Sequence, residues 1–254
     1  MYKLGLVSIS FRKHSPEEIL AAMKDVGLSY IEWGSDVHAP CDDDACLDAL
    51  VRLDAQYGVT CCSYGTYFRV GQNRPEEFRP YIRAAKRLGT RILRVWVGDK
   101  NFEDYDDTDL PALLADCRAI ARMAAKEDVI VCAECHNKTL TSRLAGAMAL
   151  MEAAAPSFRM YWQPNQFRTV KENLAYAEAV APFTEIVHVF QWKEKDKFPL
   201  ATGIEEWVGY LNKLPTELPL LLEFMPDHDI ASLPTETVSL RRIVSACDQK
   251  GDPA

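Results

Sequence analysis

Residues 129–139 read VIVCAECHNKT, and the rest of the chain can be arranged around this stretch. The apolar run VIVCA has the length and composition of a buried β-strand. Three polar side chains follow at its end: Glu134, His136 and Asn137. A carboxylate at the end of a buried strand is costly unless a metal, a cation or a hydrogen-bonding ligand accompanies it. The stretch therefore predicts a strand that carries a functional group to the edge of a sheet.

Three further stretches have the same form, an apolar run with a polar group near its end. They are residues 160–167, MYWQPNQF, with Gln163 and Gln166; residues 186–193, IVHVFQWK, with His188; and residues 219–226, PLLLEFMP, with Glu223. Four strands that each carry a polar group near the end predict one convergent site.

Strand-like runs alternate with helical periodicity along the whole chain. The predicted strands cover residues 4–9, 30–33, 59–64, 91–97, 129–134, 158–163, 185–190 and 218–224. Alternating strands and helices indicate parallel strands with helices outside, and eight such units predict a single (β/α)8 TIM barrel over residues 1–254, with 249–254 as a frayed tail. An open doubly wound sheet is the alternative, but no glycine-rich phosphate loop follows the first strand.

Composition narrows the classes of function. The chain has 254 residues, is 48% hydrophobic and carries a net charge of -8, with no run of Lys or Arg. Nucleic-acid binding needs clustered cations, so the sequence argues against a nucleic-acid partner. No apolar run is long enough to cross a membrane, and the N-terminus does not resemble a signal peptide. The eight cysteines lack zinc-site spacing, so we expect reduced thiols and a cytoplasmic protein.

The polar groups at the strand ends form a donor set suited to a metal. Two carboxylates, one imidazole and one amide favour a divalent cation such as Mn²⁺, Mg²⁺, Co²⁺ or Zn²⁺. The alternative is that Glu134 and Glu223 pair with Arg or Lys at the barrel mouth. Glu32 and Arg94 both fall at positions that face the barrel interior, and we predict that they form a buried ion pair.

These residues also carry a resemblance to a known family. The motifs are IEW at residues 31–33, ECH at 134–136, WQP at 162–164, IVHV at 186–189, PLATG at 199–203 and LEF at 222–224. In their order and spacing they resemble the xylose isomerase-like TIM barrel superfamily, the sugar phosphate isomerase/epimerase group. The resemblance spans nearly the whole chain and implies a divalent metal at the mouth of the barrel.

The resemblance assigns the metal ligands and shows one departure. It implies that Glu134, Gln163, His188 and Glu223 hold the metal, in places where the family commonly has Glu, Asp, His and Glu. The family's strand-six motif usually reads Trp-Asp-Pro-Gly-His, whereas this chain has WQPNQ at residues 162–166. A Gln oxygen can bind a cation but contributes no charge, so we expect a weaker metal site than in the family.

Five residues are candidates for contacts with substrate. His38 resembles a family position near the substrate, and Gln166 takes the place of an imidazole that the family often turns toward substrate. His136 and Lys193 could donate hydrogen bonds to substrate hydroxyls. Trp96 could supply an apolar wall for the face of a sugar.

The implied function is a divalent-metal-dependent sugar isomerase or epimerase. Such an enzyme moves a proton beside a carbonyl through an enediolate, and the resemblance gives the catalytic roles to Glu134 and Glu223. The substrate would be a small sugar or polyol-derived keto compound, and a homodimer is compatible with the sequence. A metal-dependent lyase or dehydratase, an abasic-site endonuclease and a non-catalytic sugar-binding barrel are the alternatives. The endonuclease needs more histidines and a basic surface than this chain has.

Overall fold

The structure, a computed structural model, describes residues 2–248 and contains a closed barrel of eight parallel strands. The strands are β1 (Lys3–Val7), β2 (Tyr30–Gly34), β3 (Thr60–Val70), β4 (Ile92–Val97), β5 (Ile130–Glu134), β6 (Phe158–Trp162), β7 (Thr184–Val189) and β8 (Pro219–Leu222). Each strand pairs with its neighbours in chain order, and β8 closes the barrel against β1. The predicted (β/α)8 barrel is confirmed. The tail predicted to fray, residues 249–254, lies outside the described residues.

A helix follows each strand. The helices are α1 (Pro16–Val26), α2 (Asp44–Tyr57), α3 (Arg79–Arg87), α4 (Asp109–Ala125), α5 (Leu144–Ala154), α6 (Val170–Val180), α7 (Ile204–Leu211) and α8 (Leu233–Asp248). The first shows how local sequence sets the bounds: Ser15 and Glu18 form a capping box, and Gly27 ends the helix with φ +68°. Glycine adopts that conformation without strain.

Two apolar cores stabilise the barrel. The larger one fills the space between strands and helices, whereas the smaller one occupies the barrel interior. The buried members of the interior core are Val7, Ile9, Cys132, Tyr161, Ile186 and Leu221. Because side chains alternate along a strand, the residue two positions later points into the barrel as well, one layer nearer the mouth. Cys132, Ile186 and Leu221 are followed at that spacing by Glu134, His188 and Glu223.

Two of the differences between the predicted and observed strand bounds affect the barrel mouth. The first strand ends at Val7 instead of residue 9, and residues 8–11 form a 3₁₀ turn. Hydroxyl groups explain the early end: Ser8 Oγ accepts from the amide of Gly34, and Ser10 Oγ accepts from the amide of Phe224. Such bonds replace the regular strand ladder. The third strand continues to Val70, six residues beyond its predicted end.

Two expectations about the whole chain can be compared with the described residues. None of the cysteines there forms a disulfide, as predicted. No helix within residues 2–248 combines the length and the apolar composition needed to cross a bilayer.

Candidate metal centre and active site

Side chains from the ends of four consecutive strands meet at one place, where three of them surround a ring nitrogen of the fourth, His188. His188 Nδ1 lies 3.1 Å from Gln163 Oε1, 3.5 Å from Glu134 Oε1 and 3.6 Å from Glu223 Oε2. His188 is completely buried, and the other three side chains are nearly so. The structure therefore brings together the four residues that the sequence proposed as metal ligands.

The donor atoms fit a divalent cation in kind and in spacing. Ligand atoms of Glu134, His188 and Glu223 all lie within 4.8 Å of one another. Hard divalent cations bond oxygen at roughly 2.0–2.6 Å, so donor atoms on opposite sides of one ion stand about 4–5 Å apart. Oxygen donors with one imidazole suit Mn²⁺, Mg²⁺, Co²⁺ or Zn²⁺. Glu134, Gln163, His188 and Glu223 are the residues that could hold such an ion.

A buried arginine lies directly beneath this donor set. Arg94 Nε donates to Glu32 Oε1 at 3.0 Å, which confirms the predicted ion pair. Arg94 Nη1 also donates to Glu134 Oε2, so Glu134 has one oxygen on the arginine and the other near His188. Trp96 Nε1 donates to the same Glu134 oxygen at 2.5 Å. The two interpretations of Glu134 from sequence, cation partner and metal ligand, are thus compatible.

The charges in this cluster shift each other's pKa. Burial raises the pKa of Glu32, but the Arg94 charge and then His188 outweigh it and hold that pKa at about 2. Burial and then Arg94 act in the same opposed way on Glu134, whose pKa falls well below its usual value. Burial instead dominates at Glu223 and raises its pKa to about 7, against the effect of His188. Buried carboxylates are unfavourable without a nearby cation, so this cluster needs positive charge.

His188 supplies part of that charge. Burial lowers its pKa, but Glu223, Glu32 and Glu134 together raise it to about 10, so the ring carries both protons. One ring nitrogen, Nε2, faces Glu32 Oε2 at 3.5 Å, while Nδ1 faces the three candidate ligands. A carboxylate behind a ligating imidazole fixes the ring and leaves the other nitrogen free for a metal, whose binding would displace the second proton.

Three of the four candidate ligands, Glu134, Gln163 and Glu223, form the floor of a cavity of about 200 Å³ at the barrel mouth. On one wall, Trp96 packs edge-on against Tyr67 at a centroid distance of 5.2 Å. The ring of Trp96 also contacts His136 at 4.9 Å, with the two ring planes tilted by 35°. The facing wall contains Phe190, Trp192 and Phe224, with Trp192 between the other two at centroid distances of 5.1 and 5.5 Å. An aromatic wall on each side favours a ligand with an apolar face, such as a sugar ring.

The predicted substrate contacts divide into two groups. His136, Gln166 and Trp96 line this cavity. His38 does not: it is buried, its Nε2 donates to the carbonyl oxygen of His14 at 3.1 Å, and its Nδ1 lies 3.2 Å from Ser8 Oγ. Both ring nitrogens are therefore used in holding loops together.

Lys193 also lies outside this cavity, which we call the metal pocket because it contains the candidate ligands Glu134, Gln163 and Glu223. It is exposed on a two-residue strand, Trp192–Lys193, that pairs antiparallel with Asp196–Lys197. Its Nζ is 3.8 Å from Glu206 Oε1. Lys193 therefore contacts a residue of α7 and does not line the metal pocket.

Sequence reasoning missed several residues of the cavity wall, among them Arg12, Tyr67, Phe190 and Phe224. Arg12 Nε donates to Asp36 Oδ2 at 2.6 Å, and its Nη2 donates to the hydroxyl of Tyr67. Tyr67 reaches the mouth because β3 is longer than predicted. The run YGTYFRV at residues 64–70 was the available signal, since it is rich in residues that favour strands.

Comparison with solved structures finds proteins with the same barrel fold. Among solved structures, the probable 3-DHS dehydratase AsbF from Bacillus anthracis superposes with a TM-score of 0.77 at 15% identity, over 94% of this chain and 99% of that one. A xylose isomerase domain protein from Planctomyces limnophilus gives 0.76 at 14% identity, over 98% of each chain. An L-ribulose 3-epimerase gives 0.73 at 14% identity, over 98% of this chain and 97% of that one.

These likenesses show the fold, and the sequence family is shown separately. A search of curated proteins gave no match. The family model described as xylose isomerase-like TIM barrel matches residues 20–237, which is most of the chain. The chain therefore belongs to the xylose isomerase-like TIM barrel family.

Proposed function

We propose that this protein is a divalent-metal-dependent sugar isomerase or epimerase that moves a proton at the carbon beside a carbonyl. The observation that carries the proposal is the meeting of Glu134, Glu223 and Gln163 around His188 Nδ1 at 3.1–3.6 Å, on the floor of a cavity between aromatic walls. Solved epimerases with the same barrel support the class of reaction, among them a D-psicose 3-epimerase studied with D-fructose.

The chain supplies two carboxylates for the proton transfer. Glu134 and Glu223 reach the same cavity from β5 and from the end of β8, so one can remove the proton and the other can return it. A divalent cation held by these residues with Gln163 and His188 would stabilise the negative charge that develops on the substrate oxygens. Arg94 and Trp96 donate to one oxygen of Glu134 and orient its carboxylate.

Exchange of substrate hydrogen with solvent tests this proposal. The protein, loaded with Mn²⁺, is incubated in deuterated water with a panel of ketoses, and deuterium uptake at the carbon beside the carbonyl is read by mass spectrometry and NMR. We expect uptake in the unaltered protein and a loss of about 10²–10⁴-fold in Glu134→Gln, the usual contribution of a positioned acid or base.

The matched control is Glu236→Gln, because Glu236 is buried in α8 and accepts a hydrogen bond from the amide of Leu200 outside the cavity. It should leave exchange within about threefold of the unaltered protein, since Gln keeps the accepting oxygen. Undiminished exchange in Glu134→Gln would remove Glu134 from the catalytic role.

A second candidate is a metal-dependent dehydratase, because such an enzyme begins with the same proton removal. The structural similarity to the probable 3-DHS dehydratase, with a TM-score of 0.77, supports this second candidate. Loss of water changes the mass of the product, whereas isomerisation and epimerisation leave it unchanged. The mass of the product formed from any ketose that exchanges hydrogen therefore separates the two candidates.

A further inference from the structure

A second cavity lies beside the metal pocket. It encloses about 410 Å³ between the loop after β6 and the hairpin after β7, and we call it the outer groove. It is lined by Gln166, Phe167, Arg168, Trp192, Lys193 and Glu206 among others. Small-molecule sites usually enclose roughly 300–1,000 Å³, a range that the outer groove reaches and that the metal pocket, at about 200 Å³, does not.

The two cavities share a wall. Gln166 and Trp192 face both of them, together with Asn165 and Phe190. The backbone joins this wall across the two loops, because the amide of Glu194 donates to the carbonyl oxygen of Gln166 at 3.0 Å. A ligand that begins at the metal site and extends outward between these loops would pass over Gln166 and Trp192.

Both of these residues have hydrogen-bonding groups that no other described residue satisfies. Trp192 Nε1 is buried and has no partner, and the side-chain amide of Gln166 makes no hydrogen bond within residues 2–248. Gln166 is only partly buried and lines both cavities, so its free amide can donate to and accept from a ligand that passes between them. By contrast, Asn165 on the same wall donates to Asn137 Oδ1 at 2.8 Å and accepts from the amide of Phe167 at 2.9 Å.

The charged residues that line the outer groove, Arg168, Lys193, Glu194 and Glu206, sum to zero, and three of them lie in ion pairs. Lys193 Nζ lies 3.8 Å from Glu206 Oε1, and Arg168 Nη1 lies 4.0 Å from Glu172 Oε1. Phe167 leaves 52% of its surface exposed on the rim. A groove with paired charges, unsatisfied donors and an open aromatic face suits an uncharged polyhydroxylated ring, since a sugar offers hydroxyl oxygens at its edge and C–H groups on its face.

We propose that the outer groove is a second sugar subsite, and that the natural substrate is a keto-sugar that carries an uncharged glycosyl group. The keto-sugar occupies the metal pocket, and the glycosyl group crosses Gln166 and Trp192 to stack on Phe167. The proposal rests on the proposed function for the orientation of the substrate, but the subsite itself can be measured by binding alone.

Calorimetric titration of the Mn²⁺-loaded protein tests the subsite. The probes are D-fructose and three disaccharides in which glucose is attached to O3, O4 or O6 of fructose: turanose, maltulose and isomaltulose. We expect at least one disaccharide to bind about tenfold or more tightly than D-fructose, a gain of about 1.4 kcal/mol. Phe167→Ala should reduce that ratio of dissociation constants to about threefold or less.

Phe198→Ala is the matched control, because Phe198 is a partly exposed ring on the same side of the barrel that lines neither cavity. It should keep the ratio. If all three disaccharides bind no more tightly than D-fructose, the subsite is overturned. A ratio of dissociation constants that Phe167→Ala leaves unchanged would overturn it too. Deuterium exchange into D-fructose without a disaccharide preference overturns the subsite alone. A disaccharide preference without exchange into any of the four sugars keeps the subsite and overturns the isomerase.

Discussion

Glu32 contacts the candidate metal ligands without reaching the metal pocket. Its carboxylate is completely buried, accepts from Ser63 Oγ at 2.9 Å and lies 3.5 Å from His188 Nε2. Because it fixes the ring from behind, Glu32→Gln should weaken Mn²⁺ affinity about 10–100-fold, the usual effect of removing such a partner. Titration with Mn²⁺ against a competing chelator measures the change.

The control for Glu32→Gln is Glu236→Gln, the same substitution at a buried glutamate in α8. It should not change the affinity for Mn²⁺. Equal Mn²⁺ affinity in Glu32→Gln and the unaltered protein would show that the ring of His188 is held by other contacts.

Gly65 makes room for the ion pair between Glu32 and Arg94. A Cβ at this position would lie 2.3 Å from Glu32 Oε1 and 2.8 Å from Arg94 Nη2. Gly65→Ala must therefore displace a buried charged pair, and we expect the free energy of unfolding to fall by about 1–3 kcal/mol. In Gly209→Ala the new methyl group meets Leu174 at an ordinary 3.5 Å within α7, so stability should rise by about 0.5–1 kcal/mol.

Urea denaturation of both glycine variants gives these two free energies. Opposite signs support the close approach of Gly65 to the ion pair. A loss of stability at Gly65 no larger than a few tenths of a kcal/mol, within the usual range for neutral surface changes, would show that the pair has space to move.

At the scale of elements, a buried aspartate joins α2 to β2, and burial disfavours its charged form. Asp54 accepts from Trp33 Nε1 at 3.1 Å. Burial raises the pKa of Asp54 to about 6, although the hydrogen bond from Trp33 opposes the shift. The unfolded chain loses this proton near pH 4, whereas the folded chain keeps it until about pH 6. Asp54 therefore destabilises the fold increasingly as the pH rises between these two values, and fully above them.

Asp54→Asn keeps an oxygen for the indole of Trp33 and removes the charge. We expect it to gain about 2–3 kcal/mol of stability over the unaltered protein at pH 7.5, and little at pH 4, since a shift of about two pKa units corresponds to that energy. Urea denaturation at the two pH values measures the difference in free energy of unfolding between the variant and the unaltered protein. The contributions of all other titrating groups cancel in this difference. The same gain at both pH values would contradict the raised pKa.

The strands also show why parts of the site could be predicted. In β4, β5 and β7 an apolar residue that faces the barrel interior precedes the charged residue by two positions, as Cys132 precedes Glu134 and Ile186 precedes His188. This alternation is visible in the sequence, and closing eight strands into a barrel brings their ends to one mouth. The convergence of Glu134, Gln163, His188 and Glu223 follows from these two facts.

At the scale of the whole molecule, the parts that could not be predicted depend on loops. His38 lies in the connection after β2, where Ser8 and the backbone of His14 occupy its ring nitrogens. Lys193 lies on a hairpin whose direction the apolar pattern does not encode. The contact of Arg12 with Tyr67 joins residues 55 positions apart, and no local pattern in the sequence relates them.

The proposed function requires one divalent cation at the mouth of the barrel, and the metal content of the purified protein tests this requirement most directly. The protein is prepared without chelator beside Glu134→Ala, Glu223→Ala and the control Glu236→Ala, and elemental analysis follows a check of each fold by circular dichroism. We predict about one Mn²⁺, Co²⁺, Zn²⁺ or Mg²⁺ per chain in the unaltered protein and the control, and its loss in both site variants. Unaltered protein that contains no such metal, and takes up none from added Mn²⁺, Co²⁺ or Zn²⁺, would contradict the account.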